Sequence, residues 1–198
     1  IKLDNMQIIG LTGGIGSGKS TVAFIFSLLD IPCYSSDDAA KYLMNNNPTI
    51  IQKIKNLFGE ESYIKGELNR KYIANIVFHD KTKLNQLNGI VHPEVGHHFN
   101  EWLQHQKSKF VLKESALLFD TLKNQKVDKI ISIIAPTDIR IQRVLSRQNI
   151  SKEEVLKRIE AQHSNDFLIK NSDILIHNYP PHFLIPQVLD IYKQISAE

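Results

Sequence analysis

The sequence predicts an α/β fold, a parallel sheet with helices on its faces, on three observations. Short apolar runs suited to buried parallel strands recur along the chain, helical patterns alternate with them, and a glycine-rich turn joins the first run to the first helix. The strand runs are 7–11, 31–34, 110–113, 129–135 and 174–176. In an open sheet of this kind, ligands gather at the carboxyl ends of the strands.

The elements follow in order. A helix is predicted over 17–29, after the glycine turn, and another over 37–44, after the second strand. Between Pro48 and Lys107 no strong strand signal occurs, and helices are predicted over 48–58, 69–78, 81–88 and 93–106, with Gly59, Gly66 and Gly89 as punctuation. Such a block, inserted between two strands, reads as a lobe that covers substrate. Pro136 suits the first turn of the helix after the fourth strand, where its missing N–H costs nothing. Ser151-Lys152-Glu153-Glu154 has the form of a capping box. No internal repeat or low-complexity linker is visible, so one compact unit is expected.

At 198 residues, with 42% apolar and 23% charged side chains, the chain can bury a sizeable core and lacks the composition of a disordered segment. Its 24 basic and 21 acidic residues leave a net charge of +3, too mild to imply a nucleic-acid surface. One cysteine, Cys33, excludes an internal disulfide and fits an inert core thiol in a reducing compartment. No apolar run is long enough for a membrane span, and IKLDNMQ lacks the features of a signal peptide. A cytoplasmic protein with no nucleic-acid or membrane partner is expected.

Five of the nine glycines fall within GLTGGIGSGKST, residues 10–21. Gly13-Gly14-Ile15-Gly16-Ser17-Gly18-Lys19-Ser20 matches G-x-x-x-x-G-K-[ST], the phosphate-binding loop, in a strand–loop–helix setting. Glycine permits the backbone angles that turn successive N–H groups inward, and the following helix adds its positive end. Lys19 can reach the outer phosphates, Ser20 offers a hydroxyl to Mg²⁺, and Thr21 can donate to the α-phosphate. A nucleoside triphosphate with Mg²⁺ is the expected ligand, in a P-loop NTPase fold.

The loop alone does not say what happens to the phosphate. The guanine-reading N-K-x-D and the D-x-x-G switch of GTPases are both absent, and the chain is short for a motor. A small kinase needs a carboxylate at the acceptor, another near the metal, and cations over the transferring group. Asp37, placed at the close of the second strand, suits the acceptor side, although Ser36 or Asp37 would equally cap the next helix. Glu114 ends the third strand and either helps hold Mg²⁺ or is a solvated strand end. Arg140, Arg143 and Arg147 share one helix face, at i, i+3 and i+7, and read either as a lid over the triphosphate or as a solvated basic face. Glu154 offers Arg158 an ordinary helix pair. His97, His98 and His105 show no zinc-ligand spacing, and His92-Pro93 reads as a helix start or a substrate contact.

Together these residues resemble the dephospho-CoA kinase family. The resemblance runs through IIGLTGGIGSGKSTVA, YSSDDAAK, IVHPEV, ESALLFD, APTDIRIQRVLSR, SKEEVLKRIEAQ and SDILIHN, from Ile8 to Asn178. It implies ATP-dependent phosphorylation of the ribose 3′-hydroxyl of dephospho-CoA, the last step of coenzyme A synthesis. It also implies a five-stranded parallel sheet flanked by helices, with a nucleotide-binding core at about 1–47, 108–146 and 171–198, a helical CoA lobe at about 48–107 and a lid at about 147–170. By the same resemblance Asp37 and Lys19 act in transfer with lid arginines Arg143 and Arg147. Gly13, Gly14, Gly16, Ser17, Gly18, Lys19, Ser20, Thr21, Arg140 and Asn178 bind nucleotide. Asp37, His92, Pro93 and Leu117 meet dephospho-CoA, and Ser20 and Glu114 serve the metal. A monomer or small homo-oligomer is expected.

The chain departs from the family pattern at four places. Ser35 stands where an aspartate is common, Ala116 replaces a proline, Asp120 a glutamate, and Phe167 a basic residue. Another small kinase acting on a nucleotide or nucleoside hydroxyl, or a nucleotide-binding regulator without transfer activity, are the competing readings.

Overall fold

The computed structural model describes residues 6–122 and 126–197. The N-terminal reading rests mainly on residues 1–5, which lie outside these. Two compact units are present, one formed by residues up to Ser35 together with Gln106 onward, the other by Ser36–His105.

The first unit is built on five parallel strands: β1 (Gln7–Gly13), β2 (Cys33–Ser35), β5 (Phe110–Glu114), β6 (Lys129–Ile134) and β7 (Ile174–His177). Their spatial order is β2-β5-β1-β6-β7. β1 is central, with Ile9 opposite Leu112 on β5 and Leu11 opposite Ile131 on β6. Burial on both faces explains the mostly apolar runs. Helix α1 (Lys19–Ser27) buries Val22 and Phe26, and α10 (Leu184–Ser196) buries Val188, Ile191 and Ile195, so each contributes one stripe to the core around Ile9, Leu11, Leu112, Ile133 and Ile176. The remaining helices are α6 (Leu118–Thr121), α7 (Thr137–Leu145), α8 (Lys152–Glu160) and α9 (Asn165–Asn171). Because all five strands are parallel, Gly13, Ser35, Glu114, Ile134 and His177 end on one edge of the sheet.

The second unit contains α2 (Ser36–Asn46), α3 (Pro48–Phe58), a 3₁₀ turn (Glu60–Ser62), a hairpin of β3 (Tyr63–Ile64) and β4 (Glu67–Leu68), α4 (Arg70–His79) and α5 (Lys81–Gln104). Asn47, Asn69 and Asp80 cap α3, α4 and α5 through their side-chain oxygens. Tyr63 Oη donates to the Met44 carbonyl at 2.6 Å and Asn45 Oδ1 accepts from Leu68 N–H at 2.8 Å, tying the hairpin to the end of α2.

Several local expectations change. The hairpin was not expected; its strands are two residues each, too short to show alternation, and Lys65 and Gly66 both take positive φ, 52° and 86°, to turn it. The helices expected over 81–88 and 93–106 are one helix, α5 (Lys81–Gln104), which runs through Gly89 and Pro93 and ends two residues earlier than expected. His92-Pro93 is therefore helix interior and not a helix start. The stripe Val91, Val95, Phe99 and Leu103 is buried continuously past the proline, and this packing outweighs the hydrogen bond that Pro93 cannot make. Pro136 is the N-cap of α7, one residue before its first turn. The capping box at Ser151 and Glu154 forms as read, and because Glu154 is used there, Arg158 donates instead to Gln148 Oε1 at 3.2 Å. No helix among the described residues is long and apolar enough to cross a membrane.

Candidate nucleotide site and its supports

The glycine loop leaves β1 at Gly13 and enters α1 at Lys19. Three side chains from elsewhere in the first unit hold its carbonyls. Arg140 Nε donates to the Ile15 carbonyl at 2.9 Å, Arg143 Nη1 makes a long 3.5 Å contact to that of Gly16, and Asn178 Nδ2 donates to that of Ser17 at 2.7 Å. Arg143 Nη2 also donates to the Asn178 carbonyl at 3.0 Å, coupling two of the three supports. In a trans peptide the N–H opposes the C=O. Tying carbonyls 15 and 17 to these side chains therefore turns the N–H groups of Gly16 and Gly18 the other way, which is what an anion-binding nest requires.

The supports approach so closely that two glycines are obligatory. Gly16 has φ 77° and a Cβ there would sit 2.5 Å from the Arg140 carbonyl oxygen. Gly18 has φ 101° and its Cβ would meet Asn178 Nδ2. Gly18 also precedes α1 as an N-cap with no side-chain capping bond, and no acidic residue lies in the first turn. The positive end of α1 is thus left for an anion. Lys19 Nζ donates back to the Gly13 carbonyl at 3.0 Å, and Ser17 N–H to that of Gly14 at 3.0 Å. Ser17 Oγ is buried without a hydrogen-bond partner, an unspent polar atom inside the loop. The residues after Lys19, Ser20 and Thr21, are exposed.

Arg140 departs from its expected place. It is only 2% exposed, and burial pushes its guanidinium pKa down. It lies under the loop as a fixed support rather than on a mobile basic face. Arg147 follows α7 and is exposed. The three arginines are therefore not placed alike: α7 ends at Leu145, so Arg147 does not share its face as expected, while on the helix Arg140 is buried and Arg143 half-buried.

Glu114 ends β5 opposite Leu11 of β1 and Ser35 of β2. Its charge and, more strongly, burial push the Cys33 thiol up to about 12, and Cys33 Sγ contacts the Ile31 carbonyl at 3.3 Å. An inert thiol results. Leu117, half-buried, donates its N–H to Ser115 Oγ at 3.2 Å. Among the described residues no group of three or more His, Cys, Asp or Glu side chains can hold a metal by itself. The residues expected to serve the metal are an exposed hydroxyl, Ser20, and a carboxylate at the end of β5, Glu114. That fits Mg²⁺, which keeps several waters and takes few protein ligands beside phosphate oxygens.

In the second unit, Asp37 is in the first turn of α2, two residues after β2 ends at Ser35. It is exposed, and Ser36 Oγ is buried without a hydrogen-bond partner, so the serine does not cap α2. His92 is half-buried and Pro93 exposed, both within α5.

Sequence reasoning assigned no role to Gln162, whose Oε1 accepts from Ile15 N–H at 2.7 Å. The pair is 147 residues apart, and no spacing rule connects them. Next to it, two of the departures from the family pattern meet. His163 stacks on Phe167 with ring centroids 4.1 Å apart, Phe119 is edge-on to Phe167 at 5.2 Å, and His163 Nε2 lies 3.4 Å from Asp120 Oδ1.

Comparison with known proteins identifies the family. The family model for dephospho-CoA kinase matches residues 7–180. A Porphyromonas gingivalis dephospho-CoA kinase is 39% identical over 194 residues, covering 98% of this chain and 96% of its own. A Bacteroides fragilis dephospho-CoA kinase is 36% identical over 184 residues, 92% and 90% of the two chains. A solved Thermus thermophilus structure superposes with TM-score 0.84 at 32% identity, over 98% of this chain and 97% of that one. A dephospho-CoA kinase from Campylobacter jejuni, at TM-score 0.65 and 23% identity over 98% and 99%, shares the fold. With a phosphate loop at the carboxyl edge of a five-stranded parallel sheet, and relatives alike along nearly its whole length, this chain belongs to the dephospho-CoA kinase family.

Proposed function

We propose that this chain transfers the terminal phosphoryl group of ATP to the ribose 3′-hydroxyl of dephospho-CoA, giving CoA and ADP. The observation that carries the reading is the glycine loop held by Arg140, Arg143 and Asn178, which leaves the Gly16 and Gly18 amides and the uncapped end of α1 for a polyphosphate. Family membership supplies the acceptor.

In this reading the loop residues Gly13, Gly14, Gly16, Ser17 and Gly18 cradle the phosphates, Lys19 adds a point charge, and Thr21 donates to the α-phosphate. Ser20 and Glu114 hold Mg²⁺, which when bound offsets phosphate charge. Asp37 accepts the proton of the attacking hydroxyl, with His92, Pro93 and Leu117 on the acceptor side. Arg143 and Arg147 stabilise charge on the transferring group, Arg143 also bracing the loop. Residues 147–170 serve as lid, excluding water that would compete with the acceptor. The unit Ser36–His105 serves as the acceptor lobe.

An acceptor screen tests the assignment. ADP release from ATP and Mg²⁺ is followed with dephospho-CoA, AMP, CMP and shikimate. The expected result is rapid release with dephospho-CoA alone; release driven better by another acceptor would reassign the substrate.

A further inference from the structure

We infer that Gln162 is a positioning residue for the phosphate loop, acting through Ile15; this rests on the nucleotide-site reading above. Ile15 is held on both sides. Its N–H donates to Gln162 Oε1 at 2.7 Å, and its carbonyl accepts from Arg140 Nε at 2.9 Å. Both side chains line one cavity of about 330 Å³, together with Thr137, His163 and Asn165. Arg140 is buried and belongs to a regular helix, so it cannot readily follow a moving loop. Gln162 is half-buried in the short link between α8 and α9.

That link is itself anchored. His163 is stacked on Phe167, edge-on to Phe119 at 5.9 Å, and beside the Asp120 carboxylate. Asn165 Nδ2 donates to the Ala135 carbonyl, one residue past β6, at 3.0 Å. Ser164 caps α9 through Phe167 N–H at 3.2 Å. Gln162 therefore reaches the loop from a fixed base.

The consequence concerns the peptide planes on either side of Ile15. Without Gln162 the Gly14–Ile15 plane loses its only side-chain restraint among the described residues, and glycine on one side gives little resistance to rotation. Rotation there moves the next plane, whose N–H is the Gly16 amide of the cradle. A displacement on the order of 1 Å in a positioning group can cost about 100-fold in rate.

Three variants separate the hydrogen bond from packing. Gln162→Ala removes the side chain, Gln162→Met fills its space without an acceptor, and Gln162→Glu keeps an acceptor oxygen. For each, kcat with dephospho-CoA, its KM, and ADP affinity by calorimetry are measured, with folding checked by thermal melting. We expect Ala and Met to lower kcat by about 10- to 100-fold and to weaken ADP, with the dephospho-CoA KM within about twofold. Glu should restore most of both. Met behaving like wild type, or Glu as impaired as Ala, would overturn the inference. ADP binding needs no acceptor, so a wild-type protein inert toward dephospho-CoA would sink the proposed activity while this series still decides the role of Gln162.

Discussion

Asp37 and Lys113 are charged side chains in opposite surroundings, one exposed and one buried. Asp37 is exposed in the first turn of α2, where its negative charge favours the helix without needing a specific bond. A carboxylate so placed remains available to an acceptor hydroxyl. Asp37→Asn should lower kcat by roughly two to four orders of magnitude and leave ATP affinity nearly unchanged, as general-base loss does; unaltered turnover would reduce Asp37 to a helix-end charge. Lys113 is the opposite case, 1% exposed on β5 opposite Gly10 and Tyr34. Burial pulls its pKa down to about 8. Below pH 8 it is charged in both folded and unfolded chains, so the full cost of burying the charge is present. Between pH 8 and the unfolded value of about 10.5 the unfolded chain binds more protons, and the cost fades as pH rises. Lys113→Met should therefore raise the melting temperature at pH 7 by about 2–8 °C, with a smaller gain at pH 10. The difference between the two proteins isolates this lysine from Cys33, whose raised pKa acts with the opposite sign at high pH. A gain that grows with pH would contradict the assignment.

Among elements, α5 is the least expected from local rules. Its 24 residues cross both Gly89 and Pro93, and a stripe of buried residues holds it together. An interior proline costs about 3 kcal/mol or more, partly offset by its stiffening of the unfolded chain. Pro93→Ala should restore a donor toward the Gly89 carbonyl and stabilise the protein by about 1 kcal/mol, seen as a higher midpoint in urea unfolding. A lower midpoint would mean that the proline shape is built into the packing around Val91 and Val95. The contrast with the strands explains what could be read beforehand. β1, β5 and β6 are buried on both faces and so leave mostly apolar runs, which need no partner to be recognised. The β3–β4 hairpin is too short to leave a pattern, and the course of α5 depends on long-range packing. At the site, the glycine loop was legible because backbone angles restrict residue type. Its supports were not, because Arg140 and Gln162 meet Ile15 from 125 and 147 residues away.

For the whole molecule, the parallel sheet carries the chemistry. Five strands end on one edge, the loop lies at the end of the central strand, and the residues that brace it come from the residue after β7, from α7 and from the link between α8 and α9. Rigidity of the sheet becomes rigidity of the loop. Catalysis by such a site is positioning and charge stabilisation, with little covalent work for side chains. The most direct test is the identity of the product. The wild-type protein is incubated with ATP, Mg²⁺ and dephospho-CoA, and the nucleotide products are examined by mass and ³¹P NMR. The account predicts stoichiometric ADP and a new phosphomonoester on the ribose 3′ oxygen of the acceptor. ATP consumed without that phosphomonoester, or dephospho-CoA recovered unchanged, would contradict it.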